Sequence, residues 1–277
     1  MVAMVAFTVN VQGIGPELVK HAEADLVGEL SHGRYAYRCG LPRLLDEFRR
    51  NDVRATFFWP SSEAARVPRL LARCVAEGHE IASHGRAFED LEKLGTNRER
   101  AVLAEAHQTL SDLARVEPVG FRSPTTVSTS TFAILSDLGY KYDSSNIDDD
   151  APYSLANGIS LGPALAPVAP ARGMVELPFA LGLEDSYHYS HLISPRRVAT
   201  FMMDCLNGLM EHGEGYACVS LNPRADKGIA RHAQIPIVNS LIQRVRSFGA
   251  EIKLCRDITS SLTGSEGRVK WNGKVRT

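Results

Sequence analysis

Short runs of apolar, β-branched and aromatic residues alternate along this chain with longer segments whose apolar positions recur every three or four residues. The short runs predict strands over residues 4–11, 53–59, 80–83, 119–122, 141–143, 174–178, 216–221 and 250–254. The longer segments predict helices over 41–51, 67–77, 97–115, 129–138, 195–212 and 233–248. Within 97–115 an apolar face is built by Ala101, Leu103, Ala104, Leu110 and Leu113. Gly78, Gly139 and Gly249 each follow a predicted helix, where a left-handed closing residue is wanted. Strand-then-helix repetition predicts βα units around a parallel sheet. Seven or eight such units favour a closed or nearly closed barrel over an open sheet.

Such a barrel places its chemistry at the C-terminal ends of its strands. That rule selects Asn10, Gln12, Trp59, Ser83, His84, Arg122, Asp143, Glu176 and Asn222. The stretch 144–173 is long and without clear periodicity, as lids and binding loops often are. One domain is expected over 1–263, followed by a polar, basic tail over 264–277.

Composition narrows the function classes. The chain has 277 residues, 44% hydrophobic and 23% charged, the ordinary balance of a soluble globular protein. A chain of this length buries a large core without disulfides or a structural metal. Its formal charge of -1 argues against nucleic-acid binding by bulk charge. No apolar run approaches a membrane-spanning length, and the start MVAMVAF lacks the pattern of a signal peptide. The five cysteines are odd in number and have no CxxC spacing, so a reducing cytoplasm is the expected location.

The strand-end motifs add more. In order they are AFTVNVQ (6–12), GLPRLLDEF (40–48), VRATFFWP (53–60), GHEIASHG (78–85), GFRSP (120–124), YDSSNIDDDAPY (142–153), VELPF (175–179) and VSLNPRADKG (219–228). Together they resemble the polysaccharide deacetylase superfamily, the NodB-homology fold. The DDAPY stretch is closer to the intracellular branch that hydrolyses small amides and cyclic imides or ureides. The resemblance implies a distorted (β/α) barrel of the polysaccharide deacetylase type. It also implies a divalent metal held by an Asp and an HxxxH pair, a second Asp as general base, and a late His as general acid.

This chain departs from that pattern. The base position holds Asn10, the metal-Asp position Gln12, the second His of the pair Phe88, and the late His position Asn222. Only His84 and the motif arginine Arg122 remain. Neutral amides with one imidazole make a poor site for zinc or a similar ion, so no metal and no cofactor are expected. Arg122 has lost its strand-one carboxylate, which leaves it to fork onto a substrate carboxylate or carbonyl.

Each candidate has a plainer reading. His84 is either an acid/base group or a hydrogen-bonded strand-end histidine. Arg122 either binds an anion or pairs with Asp143 or the run Asp148–Asp150. Glu176 is a candidate base or a structural partner, and Asp185 reads as a cap. Asp149 lies in an acidic run that is usually a solvated turn. Trp59, Tyr187 and Tyr189 line a pocket or pack in the core. Cys39 is a distant candidate nucleophile, and His188 with His191 has metal-like spacing but no third ligand.

The expected function is a metal-independent enzyme acting on a non-peptide C–N bond of a small amide, cyclic imide or ureide. His84, Arg122 and Glu176 are its expected catalytic groups. Asn10, Gln12, Trp59, Asp149, Tyr153 and Asn222 are its expected substrate contacts. The alternatives are a non-hydrolytic enzyme (isomerase, cyclase or lyase) and a catalytically dead ligand-binding protein. The expected partner is a small-molecule substrate, with neither nucleic acid nor membrane, and the mixed surface is compatible with a homo-oligomer.

Overall fold

Strand β1 (Met4–Asn10) is buried along all seven of its residues, as expected of a central strand covered on both faces. The computed structural model describes residues 2–156, 170–191, 194–231 and 233–262, with the backbone of 269–271 and 274–276. The further strands are β2 (Thr56–Trp59), β3 (Glu80–Ser83), β4 (Gly120–Phe121), β5 (Tyr142–Asp143), β6 (Tyr153–Ser154), β7 (Val175–Glu176), β8 (Tyr216–Leu221) and β9 (Glu251–Ile252). The helices are α1 (Gly15–Leu18), α2 (His32–Tyr35), α3 (Leu41–Arg50), α4 (Ser61–Arg66), α5 (Pro68–Ala76), α6 (Thr96–Ala114), α7 (Thr131–Asp137), α8 (Asp185–Ser190), α9 (Pro195–His212), α10 (Ile235–Ser247) and α11 (Cys255–Leu262).

The strands lie in the order β6-β7-β5-β4-β3-β2-β1-β8, with β9 also pairing with β1. All pairs are parallel except β6 with β7. Beyond β7 the chain returns to β8, where Glu184 bridges Ser220 in parallel. The curled sheet and its helices form a distorted (β/α) barrel, as the sequence implied. Among the described residues, no helix is long and apolar enough to cross a membrane.

Period-2 alternation sorts each strand into two faces. Val5, Phe7, Val9, Phe57, Trp59, Ile81, Val219 and Leu221 face outward, where they pack with Phe48, Leu71, Leu110, Met202, Leu206 and Leu241 of the helices. Each fully buried side chain of this size contributes about 1.5–3 kcal/mol. Met4, Ala6, Phe58, Ala82, Tyr142, Val175, Leu177 and Cys218 face inward. Helix α11 closes the N-terminal end of that interior with Cys255, Ile258 and Leu262. Its first amides donate to Thr56 Oγ1 (3.0 Å) and to Glu80 Oε2 (3.1 Å), so buried polar groups cap it.

The predicted strands and long helices appear within a few residues of their expected limits. Residues 15–40, for which no element was predicted, hold α1, α2 and the π-turn Ala36–Gly40, turns too short to show a period. In the tail, β10 (Val269–Trp271) pairs antiparallel with β11 (Lys274–Arg276). Residues 157–169 of the long predicted loop lie outside the described residues, as do 264–268, 272–273 and 277 of the tail.

Gly40 ties the helical layer to the strand ends. A Cβ there would sit 1.8 Å from the carbonyl oxygen of Pro223, which immediately follows Asn222. Backbone on both sides leaves no side chain to move aside. Gly40→Ala should therefore destabilise the protein by about 1–3 kcal/mol in urea unfolding.

Candidate functional site

Thr8, Asn10 and Gln12 follow the inward face of β1 and its extension, and Ser220 and Asn222 follow that of β8. His84 and Arg122 immediately follow β3 and β4. These chain positions bring Asn10, Gln12, His84, Arg122 and Asn222 together at one end of the barrel.

Arg122 is buried, 2% exposed. Its Nε donates to the Ser144 carbonyl (2.8 Å). Its Nη1 donates to Thr8 Oγ1 (2.9 Å), Asn10 Oδ1 (3.1 Å) and Ser220 Oγ (3.3 Å). Its Nη2 donates to Ser144 Oγ (2.7 Å) and Cys218 Sγ (3.3 Å). The rings of Phe58 and Phe179 lie 4.2 and 5.0 Å from the guanidinium carbon. Neither sequence expectation for Arg122 is met. Its donors are engaged within the protein instead of open to a substrate. Among the described residues it makes no ion pair with Asp143 or Asp148–Asp150. The group nearest to a counter-charge is Cys218: a hydrogen bond from Cys255 and the adjacent guanidinium bring its thiol down to about 6, against the effect of burial.

Above Arg122 runs a chain of neutral groups. Asn222 Nδ2 donates to Gln12 Oε1 (3.1 Å). Gln12 Nε2 lies 3.4 Å from His84 Nε2. His84 Nδ1 lies 2.6 Å from the Arg122 carbonyl, which accepts its proton. That bond fixes the tautomer, leaving Nε2 to accept from Gln12. Burial holds the His84 pKa down at about 3, so the ring is neutral at physiological pH. Phe88 meets His84 edge to face at 6.4 Å. Its ring sits so close to Gly15 that a Cβ there would lie 2.2 Å from it.

This donor set does not suit a divalent metal. Asn10 Oδ1, both ends of Gln12 and both nitrogens of His84 are bonded within the protein, and Phe88 offers no ligand. Among the described residues, no three His, Cys, Asp or Glu side chains are grouped to hold an ion.

The other expected site residues lie elsewhere. Trp59 is wholly buried in the outer core, not lining an opening. Val175 and Leu177 point into the barrel, so Glu176 alternates to the other face and takes the structural-partner reading in place of the catalytic one. It pairs with Asp143, its register partner on β5. Asn146 caps it from its backbone N (3.1 Å) and Nδ2 (3.0 Å), while Ser145 N and Oγ hold Asp143 at 2.8 and 2.9 Å. Tyr153 donates to Asp148 (2.9 Å), and Asp149 accepts from Ala151 N (3.1 Å). These contacts organise the loop after β5. His188 and His191 bond to the carbonyls of Gly182 and Tyr187 respectively, not to a shared point.

Several further residues position the site, of which Asp185 was read from the sequence only as a cap. Asp185 is buried and accepts from Asn222 N (2.9 Å) and Ile229 N (2.8 Å), which fixes the β8–α10 loop. Arg224, next to Asn222, binds Glu17 through both terminal nitrogens (2.8 and 2.5 Å) and also Asp226 (2.9 Å). Buried Glu63 accepts from Gly15 N (2.7 Å) and bonds Tyr37, holding the loop after β1. The alternation on β8 places Cys218 and Ser220 on the face of Asn222, a signal the sequence reading did not use, and nothing local marked Glu63.

Comparison with known proteins follows this geometry. Residues 34–142 match the family model for polysaccharide deacetylase. A peptidoglycan deacetylase of Helicobacter pylori is 29% identical over 159 residues, covering 57% of this chain and 54% of that protein. The match thus spans about half of that relative. A solved Mycobacterium smegmatis structure assigned to the polysaccharide deacetylases has 29% identity and a TM-score of 0.81, covering 93% of this chain and 89% of the other. A solved PuuE allantoinase has the same coverage with 20% identity and a TM-score of 0.74, a likeness of fold. The superfamily is thereby supported.

Two outcomes test this geometry. Arg122→Gln leaves several buried acceptors without a donor and should cost about 3 kcal/mol or more in urea unfolding. The Asp143–Glu176 pair gives a pH dependence. Burial raises both carboxyls, Asp143 to about 6 and Glu176 well above its ordinary value, where the Asp143 charge adds to the effect. The folded state thus keeps a proton that the unfolded chain releases, and this contribution to stability is lost as pH rises through about 6 and beyond. Stability of Glu176→Gln, read from urea unfolding, should fall less steeply than that of wild type as pH rises through about 6.

Proposed function

We propose that this chain, whose fold and matched segment are those of the polysaccharide deacetylase superfamily, holds an amide-bearing small molecule at its strand ends without cleaving it by metal-bound water. The observation that carries this reading is the chain from Asn222 through Gln12 and His84 to the Arg122 carbonyl. Every group in it is neutral, and each supplies an amide-type donor or acceptor. A ligand amide can exchange hydrogen bonds with Asn222 and Gln12 without placing a charge in the site. The same groups provide no carboxylate to take a proton from water, and Asn10 cannot serve as a base. Arg122 supports the arrangement from below and holds Asn10 in place.

The superfamily supports a C–N hydrolase at the coarse level, and one observation favours a metal-independent hydrolase as the second reading. The His84 Nε2 lone pair is directed at Gln12. A substrate that displaced the Gln12 amide would meet a neutral imidazole able to accept a proton. Its pKa of about 3 makes it a weak base, which ranks this reading second.

Elemental analysis of untreated protein and calorimetry against N-acetylglucosamine, succinimide and allantoin separate these readings. The expected result is near-zero metal, saturable binding of at least one amide, and no product. Turnover that persists in chelator would establish the second reading. Stoichiometric metal in the wild-type protein would sink both. The variant Asn10→Asp, Gln12→Asp, Phe88→His should bind zinc at least about tenfold more tightly than wild type.

A further inference from the structure

Beside the barrel mouth, on the outer side of the loop that follows Asn222, lies a cavity of about 620 Å³. Its wall includes Arg34, Arg38 and Arg231, together with Tyr35, His32 and Glu29. We infer that this cavity is a binding site for a phosphorylated small molecule, recognised through its phosphate group by the three arginines.

The charge is concentrated and uncompensated. Arg34 and Arg38 are four residues apart where α2 runs into the π-turn, so they share a face. Among the described residues neither guanidinium has a hydrogen bond or an ion pair. Arg231 uses only Nε, donating to the Ala225 carbonyl at 2.9 Å, which leaves its terminal nitrogens open. Its guanidinium carbon lies 5.6 Å from the Tyr35 ring centre, with Arg43 5.7 Å from the same ring. Tyr35 thus holds Arg231 in position.

Neighbouring carboxylates do not neutralise this group. Glu17 is bound by Arg224 and His32, and Asp226 by Arg224. Glu29 is the single carboxylate on the cavity wall. Three open guanidinium forks around one space repel one another until an anion enters. A tetrahedral phosphate offers several acceptor oxygens and up to two negative charges, matching their number and planar geometry better than one carboxylate does. The cavity falls within the range of small-molecule sites, roughly 300–1,000 Å³, so there is room for more than a free ion. Tyr35 is covered by its two arginines, which argues for a sugar-like attachment over a stacked base. The inference does not depend on the ligand proposed at the strand ends.

Calorimetry with glucose phosphate, inorganic phosphate, glucose and glucuronate tests it on the full chain. Glucose phosphate should bind saturably and weaken with added salt, while glucose should not bind. Each of Arg34→Gln, Arg38→Gln and Arg231→Gln should raise Kd at least about tenfold, the loss of one charge-assisted contact. Arg196→Gln, on the exposed start of α9, is the matched control and should change nothing. Equal affinity for inorganic phosphate would retain the phosphate site and make the free ion its source. Glucuronate binding as tightly as glucose phosphate would overturn the phosphate assignment. Absence of saturable phosphate binding, or equal effects from Arg196→Gln and the cavity variants, would overturn the site itself. The substituted arginines are exposed, so melting temperatures within about 2 °C of wild type would show that the fold is kept.

Discussion

Arg122 carries its charge into the barrel interior, and the surrounding strands are arranged to receive it. Thr8 and Asn10 of β1, Cys218 and Ser220 of β8, and Ser144 after β5 all give it acceptors. A buried cation with a missing partner is costly, so these groups cannot change independently. The charge is met by a thiol poised to ionise and by a ring of hydroxyl and amide oxygens, and two aromatic faces exclude water from it. This requirement fixes the orientation of Asn10 and, through the Arg122 carbonyl, the tautomer of His84.

The tautomer in turn sets what the mouth can do. With Nδ1 donating inward, Nε2 must accept, and Gln12 must present its amide nitrogen to it. Gln12 then has its oxygen left for Asn222. Each residue dictates the hydrogen-bonding polarity of the next. Gln12, His84 and Asn222 therefore act as one neutral hydrogen-bonded unit. Phe88 contributes by filling space against Gly15 and His84.

Much of this was legible in the sequence. The barrel followed from periodicity, and Asn10, Gln12, His84, Arg122 and Asn222 converge because strand-end positions in such a barrel share one face. Periodicity does not reveal whether a residue at a short strand's end faces inward or outward. Glu176 was thus left between a candidate base and a structural partner, until its neighbours Val175 and Leu177 proved to occupy the interior. Trp59 was misplaced for the same reason, since β2 turns Phe58 inward instead. The Glu63–Gly15 and Asp185–Asn222 contacts join segments far apart in sequence, and no local pattern records them.

The Asp143–Glu176 pair also alters the protein's overall charge. The residue count of -1 treats every acid as ionised. Burial opposes ionisation of that pair, so the folded molecule carries less negative charge from it than the count assigns. Repulsion between copies is then weak, and contact between them is opposed mainly by hydration and surface shape. The colloidal behaviour of the whole chain is thus set partly by two carboxyl groups that never meet solvent.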